Sequence, residues 1–547
     1  MVKVYIPDDT TSISLFSDEI AKVISLEAKK RGINIQLIRN GSRGLFKFEP
    51  LVEIENKNGR FAFGPVTFDN AGLLFENNVF LGNFSGYDNN STLLNGTAAE
   101  SFNRIFLGES KNIPQLKKQS RLVFNRVGLI DPLSLDDYKN NGGLSGIKNA
   151  IDTDSNSIIE ILKKSGLRGR GGAGFPAYLK WETVLNAKSE VKYIVCNADE
   201  GDSGTFADRM LLEGDPFAVI EGMAIAGITV YAEKGYIYLR SEYFKAAKKL
   251  EKALKLSYKE GLLGKNIFGT DKSFDINLIV GAGSYICGEE TALLESIENK
   301  RGMVRVRPPV PAISGLYNKP TILNNVTTFA SVTHILSRNS GRKNFESFGG
   351  HQRLGNPEDD FSLLGTETSK GTIPFQLSGA AACPGLYELP AGISLRKLVL
   401  DMGGCSAEGG HLKFVQIGGP LGAYFPATDE FLDIKLSYEA VAEKGGLLGH
   451  GGVVVFDEDT DMKLVLTNIL DFCVHESCGK CTPCRIGSIR LKELFERVLS
   501  KQNVENNLKI ISEILETMKE LSLCGLGSGM HYPVNSLLKY FKEEILS

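Results

Sequence analysis

Four cysteines carry the most pointed chemistry in this 547-residue chain. Cys478, Cys481 and Cys484 share one short run with Gly479, Lys480, Thr482 and Pro483, and Cys524 follows in Leu523, Cys524, Gly525, Leu526, Gly527. Two-residue gaps let three thiolates turn toward one centre, while the glycines and the proline are expected to stop a helix from running through the set. Four sulfurs suit one cubane iron–sulfur cluster. Structural zinc is the competing occupant, although zinc more often takes two separated Cys-x2-Cys pairs, and a disulfide framework would not crowd three thiols so closely. Lys480 and Arg485 offset part of the thiolate charge, and His475, alone beside the run, reads as surface or supporting. The other five cysteines (Cys196, Cys287, Cys383, Cys405 and Cys473) stand singly among apolar neighbours, as reduced, buried thiols do.

Glycine is the second signal, with 59 in the chain and several groups of them bunched. The densest run is Gly166, Leu167, Arg168, Gly169, Arg170, Gly171, Gly172, Ala173, Gly174, Phe175, Pro176, with Lys180 and Trp181 just beyond. Such a loop can turn successive backbone N–H groups toward a phosphate, with Arg168, Arg170 and Lys180 supplying charge; a plain flexible loop is the alternative. A strand over 191–196 then delivers Asn197, Asp199, Glu200 and Asp202 at its carboxyl end, where α/β sheets bind ligands. Three carboxylates there could hold a divalent metal, but no histidine is near in sequence, and Asn197 among glycines suits a heterocycle equally well. A further strand over 274–280 runs into Gly281, Gly283, Tyr285, Gly288, Glu289, Glu290 and a helix, the strand–turn–helix order of a nucleotide site, with spacing that departs from the usual dinucleotide fingerprint.

These residues need elements to hold them. The length allows three or four domains, and 42% hydrophobic with 23% charged residues is ordinary globular composition. A net charge of −3 gives no argument for nucleic acid or an anionic membrane. No apolar run reaches membrane-spanning length and the amino terminus lacks signal-peptide regions, so a cytoplasmic protein without membrane insertion is expected. Residues 1–110 read as strand 2–6, an amphipathic helix over 14–30 with Phe16, Ile20, Val23 and Ile24 on one face, an apolar run over 33–38, and a hairpin of 51–54 with 61–63 around Asn58 and Gly59. That order suits a thioredoxin-like unit, here without cysteine. The stretch 85–95 reads as a surface loop. Further on, the pattern predicts helices over 157–164 and 222–228, a strand over 236–239, and a helix opening at Asn324 and Asn325. Short strands over 376–380, 386–389, 395–400 and 413–417 predict a β-rich unit, and after 452–456 helices are predicted over 462–475, 484–499, 504–521 and 534–546.

Taken together, GLRGRGGAGFP at 166–176, NADEGDSGTF at 197–206, GAGSYICGEETALLESIE at 281–298 and ESCGKCTPCRIG at 476–487 closely resemble the NADH-oxidising flavoprotein subunit of respiratory complex I (the 51 kDa type) and its relatives in NAD-linked hydrogenases and formate dehydrogenases. The resemblance implies an α/β fold with a Rossmann-like FMN- and NADH-binding domain over 111–350. It is preceded by a degenerate thioredoxin-like domain over 1–110 and followed by a ubiquitin-like β-grasp domain over 351–440 and a four-helix bundle over 441–547 carrying a 4Fe-4S cluster. It implies FMN held by Gly169, Arg170, Gly171, Gly172, Ala173, Gly174, Lys180, Asn197, Asp199, Glu200, Gly288, Glu289, Asn324 and Asn325. Phe175 and Glu290 would contact NAD(H), Asp202 the nicotinamide, with Tyr285 beside the flavin; Cys478, Cys481, Cys484 and Cys524 would ligate the cluster. Asp202 stands where many members have Glu, Val310 where an aromatic ring can stack on adenine, and Arg307 where Lys is common, so some tolerance of NADP is open.

The amino-terminal extension, including LIRNGSRGLFKFEPLVEIE at 37–55, is most similar to the beta subunit of NAD-dependent molybdenum formate dehydrogenases. That implies electron flow from formate through clusters and FMN to NAD+, with a small 2Fe-2S thioredoxin-like gamma subunit and a large molybdenum- and iron-sulfur-bearing subunit as partners. A complex I or hydrogenase subunit is the alternative assembly, and a zinc- and nucleotide-binding structural subunit without redox work is the alternative of another class. Hydride carries two electrons and a cluster takes one, so a flavin must stand between them. Glu289, Glu290 and Asp202 then read as orienting and electrostatic groups.

Overall fold

The computed structural model describes residues 1–57, 59–81, 97–337, 361–405 and 410–547. Asn58, the expected loop at 85–95 and the expected boundary between residues 350 and 351 lie outside the described residues. The described strands form three sheets.

In the first sheet, β1 (Val2–Tyr5) runs parallel to β2 (Ile35–Ile38) and antiparallel to β3 (Val52–Asn56), and β4 (Gly59–Phe63) and β5 (Phe106–Glu109) extend it in the order β2-β1-β3-β4-β5. The helix between β1 and β2 is α1 (Ser17–Lys30). It begins later than its apolar spacing predicts, because Phe16 takes a left-handed conformation (φ 68°) that separates it from a short preceding turn, Thr10–Ser14. Ile20 and Ile24 are buried as expected, while Phe16 and Val23 face outward. Hydrophobic spacing alone does not register a backbone break.

The second sheet is the scaffold of the site. Four parallel strands, β6 (Tyr193–Ala198), β7 (Lys234–Leu239), β8 (Asp275–Val280) and β9 (Thr321–Asn325), lie in the order β8-β7-β6-β9. β6 is the strand at which chain order reverses, and its end pairs with that of β9, Asn197 opposite Asn325. Open parallel sheets bind ligands beyond strand ends at such a switch point. Around the sheet pack α2 (Ala177–Asn186), α3 (Pro216–Val230), α4 (Phe244–Lys259), α5 (Glu290–Ile297) and α6 (Val326–Leu336). Every residue of α3 is buried, most of them apolar, and its Glu221 is satisfied by the hydroxyl of Tyr138 and the N–H groups of Leu144 and Ile147. Its Gly222 lets it touch α6, since a Cβ there would sit 2.1 Å from the carbonyl oxygen of Phe329.

The third sheet joins β10 (Thr372–Gly379), β11 (Gly385–Pro390), β12 (Leu412–Ile417), β13 (Ala423–Pro426) and β14 (Gly452–Asp457) in the order β11-β10-β14-β12-β13, with β10 and β14 parallel. The expected strand over 395–400 is instead helical, over Lys397–Met402, because Leu398, Val399 and Met402 turn one helical face into the core. The expected division between residues 440 and 441 separates β14 from the sheet of which it is the middle strand. The chain then continues as α7 (Met462–Glu476), α8 (Thr482–Leu499), α9 (Val504–Leu521) and α10 (His531–Tyr540). The last predicted helix breaks at Phe541, whose ring packs on Phe414 of β12, and resumes as Lys542–Leu546. Ser536 of α10 accepts the backbone N–H of Tyr424 on β13 (3.0 Å), binding helices to sheet. Of the five cysteines expected to be buried, Cys405 is exposed and Cys383 half-buried.

One buried carboxylate, Glu213, joins the first sheet's unit to the second's, and another, Glu49, ties the first unit together internally. Glu213 accepts the N–H and hydroxyl of Thr10 (2.7 and 2.6 Å), and Glu49 accepts Ser12, Ser42 and the N–H of Leu51 (2.8, 2.5 and 3.0 Å). Burial, and then the charge of Asp9, push the Glu49 carboxyl up to about 7, so the fold favours its protonated form. Stability from this group is fully present below the ordinary glutamate value and is lost as pH rises through about 7. Between about pH 5 and about pH 8 the melting temperature of the wild type should fall more steeply than that of Glu49→Gln, whose amide stays neutral; parallel melting curves would show that Glu49 does not titrate there.

Candidate functional site

The glycine-rich loop starts where the helix Ser155–Ser165 ends at Gly166, in left-handed conformation (φ 67°). It closes on itself through the N–H of Gly169 donating to Phe175 O (2.8 Å) and is pressed against β9, where a Cβ on Gly171 would lie 3.0 Å from that of Asn325. Gly172 and Gly174 take φ of 112° and 60°, which side-chain-bearing residues adopt only with strain. The two arginines do not serve as expected. Arg170 is buried and donates to the carbonyls of Lys370 and Thr372 (2.6 and 3.2 Å), and Arg168 pairs with Glu439. They rivet the loop to the third sheet and leave its backbone facing the cavity.

That cavity has a volume of about 670 Å³, within the range of cofactor pockets. Gly169, Gly171–Gly174, Phe175, Lys180, Asn197, Asp199, Glu200, Asp202, Tyr285, Gly288, Glu289, Glu290, Asn324 and Asn325 all line it, so every site residue expected outside the cluster except Arg170 comes together there. Local rules place them. Asn197, at the end of β6, donates to Gly288 O (2.8 Å). Asn324 accepts the indole N–H of buried Trp181 (3.1 Å), and Asn325 caps α6 through the N–H of Thr327 (2.8 Å) while donating to Asp208 (2.5 Å). Glu289 caps α5, accepting the N–H groups of Thr291 and Ala292 (2.8 and 2.9 Å).

One chain of charge crosses the cavity wall. Lys180 Nζ lies 3.0 Å from Glu290 Oε2 and 3.1 Å from Leu323 O, and Arg307 lies 2.8 Å from Glu290 Oε1. Burial opposes ionisation of Glu290, but Lys180 and then Arg307 outweigh it and hold the carboxyl below its ordinary value. Arg307 is therefore engaged by a carboxylate. Phe175 and Val310 remain about half exposed and form apolar lips.

Across the cavity, Tyr285 donates its hydroxyl to Asp202 (2.7 Å) and packs edge-on against Phe472 of α7 (4.9 Å). Burial raises Asp202 despite that hydrogen bond, and raises Asp199 to about 7 with Arg240 partly opposing. Asp208 and His450 are site residues that sequence reasoning missed. His450 Nε2 lies 3.5 Å from both Glu200 Oε1 and Asp208 Oδ2, and all three residues are buried. The absence of a nearby histidine held only along the sequence; the sheet topology supplies one from the turn before β14.

The four cysteines also converge. No helix runs through the set, as expected: α7 ends at Glu476, Cys481 caps α8, and Pro483 sits in the first turn of that new helix. Ser477 Oγ lies 3.3 Å from Cys484 Sγ. Cys524 caps the short helix Gly525–Ser528, and a Cβ on Gly527 would lie 2.9 Å from Cys484 Cβ, so glycine there lets the two cysteine-bearing segments meet. Cys524, Gly525 and Leu526 line the same cavity as the glycine loop. An all-thiol donor set fits an iron–sulfur cluster, and backbone N–H groups beside Lys180 fit a phosphate-bearing cofactor.

Comparison with known proteins agrees with both fits. The Nuo51 FMN-binding domain model matches residues 162–334, and the NADH-ubiquinone oxidoreductase-F iron-sulfur binding region model matches residues 464–547. The NADP-reducing hydrogenase subunit HndC of Solidesulfovibrio fructosivorans is 45% identical over 78% of this chain and 83% of its own length. A subunit of the NADH-quinone oxidoreductase of Streptomyces coelicolor is 41% identical over 75% of this chain and 87% of its own. A crystal structure of NAD+-reducing [NiFe]-hydrogenase in the H2-reduced state superimposes with a TM-score of 0.65 at 27% identity, covering 100% of this chain and 84% of that one. The cofactors are FMN and a 4Fe-4S cluster, with NAD(H) as substrate. The chain belongs to the Nuo51 family of FMN-binding, iron–sulfur subunits, the family of the NADH-quinone oxidoreductase relative just described.

Proposed function

We propose that this NAD(H)-dependent flavin/iron–sulfur subunit is the beta subunit of a formate dehydrogenase, working between a molybdenum-bearing formate-oxidising subunit and NAD+. The observation that carries the electron-transfer reading is the single cavity walled by the glycine loop and strand ends on one side and by Cys524 on the other. Bound FMN supplies exchange between the electron pair of a hydride and the single electrons a cluster takes. The chain's own residues bind and orient. The N–H groups of 171–174 and Lys180 would hold the phosphate; Asn197, Asp199, Gly288, Glu289, Asn324 and Asn325 would hold the ring system. Glu290, Phe175 and Asp202 seat the nicotinamide nucleotide, with Tyr285 steadying Asp202. Hydride moves as one particle, so these residues need not transfer a proton. Cys478, Cys481, Cys484 and Cys524 hold the cluster against the cavity wall.

The formate assignment rests on the extension before the shared core. We read its sheet as a degenerate thioredoxin-like unit and the third sheet as a β-grasp unit, with a 2Fe-2S gamma subunit as the small partner. A hydrogenase assembly is the second reading, favoured by the match of the hydrogenase structure along the full chain.

Cys481→Ser and Cys524→Ser should each lose the cluster iron, about four atoms per chain, and slow electron transfer to the partner subunits at least about tenfold. Retained iron and an unchanged rate would sink the relay. Glu290→Gln should release Lys180 and Arg307 and raise kcat/KM for NADPH relative to NADH by about tenfold, the scale of one charge-assisted contact with a 2′-phosphate; an unchanged ratio would remove Arg307 from nucleotide choice. Metal analysis of the purified native complex decides the assembly: molybdenum or tungsten is expected, and nickel in their place would overturn the formate reading.

A further inference from the structure

His450 stands on the cavity wall, yet no step of the electron relay described above uses it. It is held on both sides by backbone. Gln376 donates to His450 O (2.8 Å) and accepts the N–H groups of Phe206 and Ala207 (2.5 and 2.8 Å), tying the histidine to the start of the helix that carries Asp208. On the other side Gly449 pairs with Gly172 of the glycine loop. The imidazole is thereby delivered to two carboxylates already fixed by other donors. Glu200 accepts the N–H groups of Asp208 and Arg209 and the hydroxyl of Tyr243 (3.1, 3.0 and 2.9 Å), and Asp208 accepts Asn325 and Thr327 (2.5 and 3.0 Å).

Neighbouring cations are committed elsewhere. Arg209 turns to Asp9 and Glu213, and the guanidinium of Arg240 reaches Glu242 and the carbonyl of Glu200. Asp202, on the same wall, adds a further negative charge facing His450. Burial alone would favour the neutral ring, but Asp208, Glu200 and Asp202 overcome it and raise His450 to about 9. His450 Nε2 is buried 3.5 Å from both carboxylates, at the limit of a hydrogen bond, so Asp208 acts on it by charge and as an acceptor and Glu200 by charge.

We propose that His450 is a positioning residue that carries a fixed positive charge into the wall of the cofactor cavity, restraining Asn325 through Asp208 and raising the reduction potential of the flavin bound there. The inference rests on the cavity being the flavin site. A positive group near a ring that gains electrons stabilises its reduced form, and electrostatics around the ring is the protein's means of tuning a flavin.

The test is spectroelectrochemical titration of FMN in the intact complex, from about pH 6 to about pH 9, a window spanning ordinary and raised histidine values. His450→Gln should shift the two-electron equilibrium toward oxidised flavin by about tenfold near pH 7, about 30 mV, with the difference narrowing toward about pH 9 as the wild-type imidazole loses its proton, and His450→Lys should restore it. Glu200→Gln, which removes a negative charge from the same cluster, should shift it the opposite way. A purely structural role predicts no opposed signs and no rescue by lysine. Flavin retained with no shift, or with both glutamine variants shifting alike, overturns the proposal while leaving the flavin site standing. Wild-type complex without FMN overturns the site reading itself. If His450→Gln does not assemble, Glu200→Gln alone decides: a rise supports the inference, and no change or a fall ends it.

Discussion

Backbone-to-backbone contact between Gly172 and Gly449 is the constraint on which the site depends. One glycine belongs to the loop beneath the parallel sheet and the other to the turn before β14, so the pairing fixes the second sheet against the third. Neither position accepts a larger residue without strain, because both have positive φ, and a Cβ at Gly449 would lie 2.7 Å from Gly418 Cα. Side chains then reinforce what the backbone has set. Arg168 and Arg170 clamp the loop from below, and Tyr438 donates to Gly169 O (3.0 Å). The loop is glycine-rich for approach and arginine-rich for anchoring, two uses that look alike along a sequence.

That ambiguity explains much of what the sequence disclosed and what it hid. The ends of β6 and β8 were legible because a period of apolar residues followed by polar ones marks the carboxyl edge of a buried parallel strand, whereas β9 was not, since Asn324 and Asn325 read as the opening of a helix and Asn324 lies inside the strand. Cys478, Cys481 and Cys484 were legible because their spacing is local, and Cys524 because it stands in a turn-like run between glycine and leucine residues. The cations of the glycine loop misled, since a sequence does not say whether an arginine faces a ligand or the carbonyls of residues 370 and 372. His450 was hidden for the same reason: nothing local joins it to Glu200 and Asp208, and only pairing of β14 within the third sheet delivers it.

Some elements failed on the fold itself. A strand over 395–400 and a helix over 397–402 share their apolar residues, and the surrounding core decides between them. The break at Phe16 and the start of α8 at Thr482 depend on single backbone angles and on proline in a first turn, which periodicity does not weigh.

The placement of Cys524 would join metallation to flavin retention. Its thiol is near enough to Cys484 to feel that group's charge, while the segment from Cys524 to Leu526 continues as cavity wall. A cluster bound by these cysteines would staple the open end of the α8–α9 hairpin and with it one flank of the pocket. Loading of iron and keeping of the yellow cofactor would then be linked through one short segment of chain.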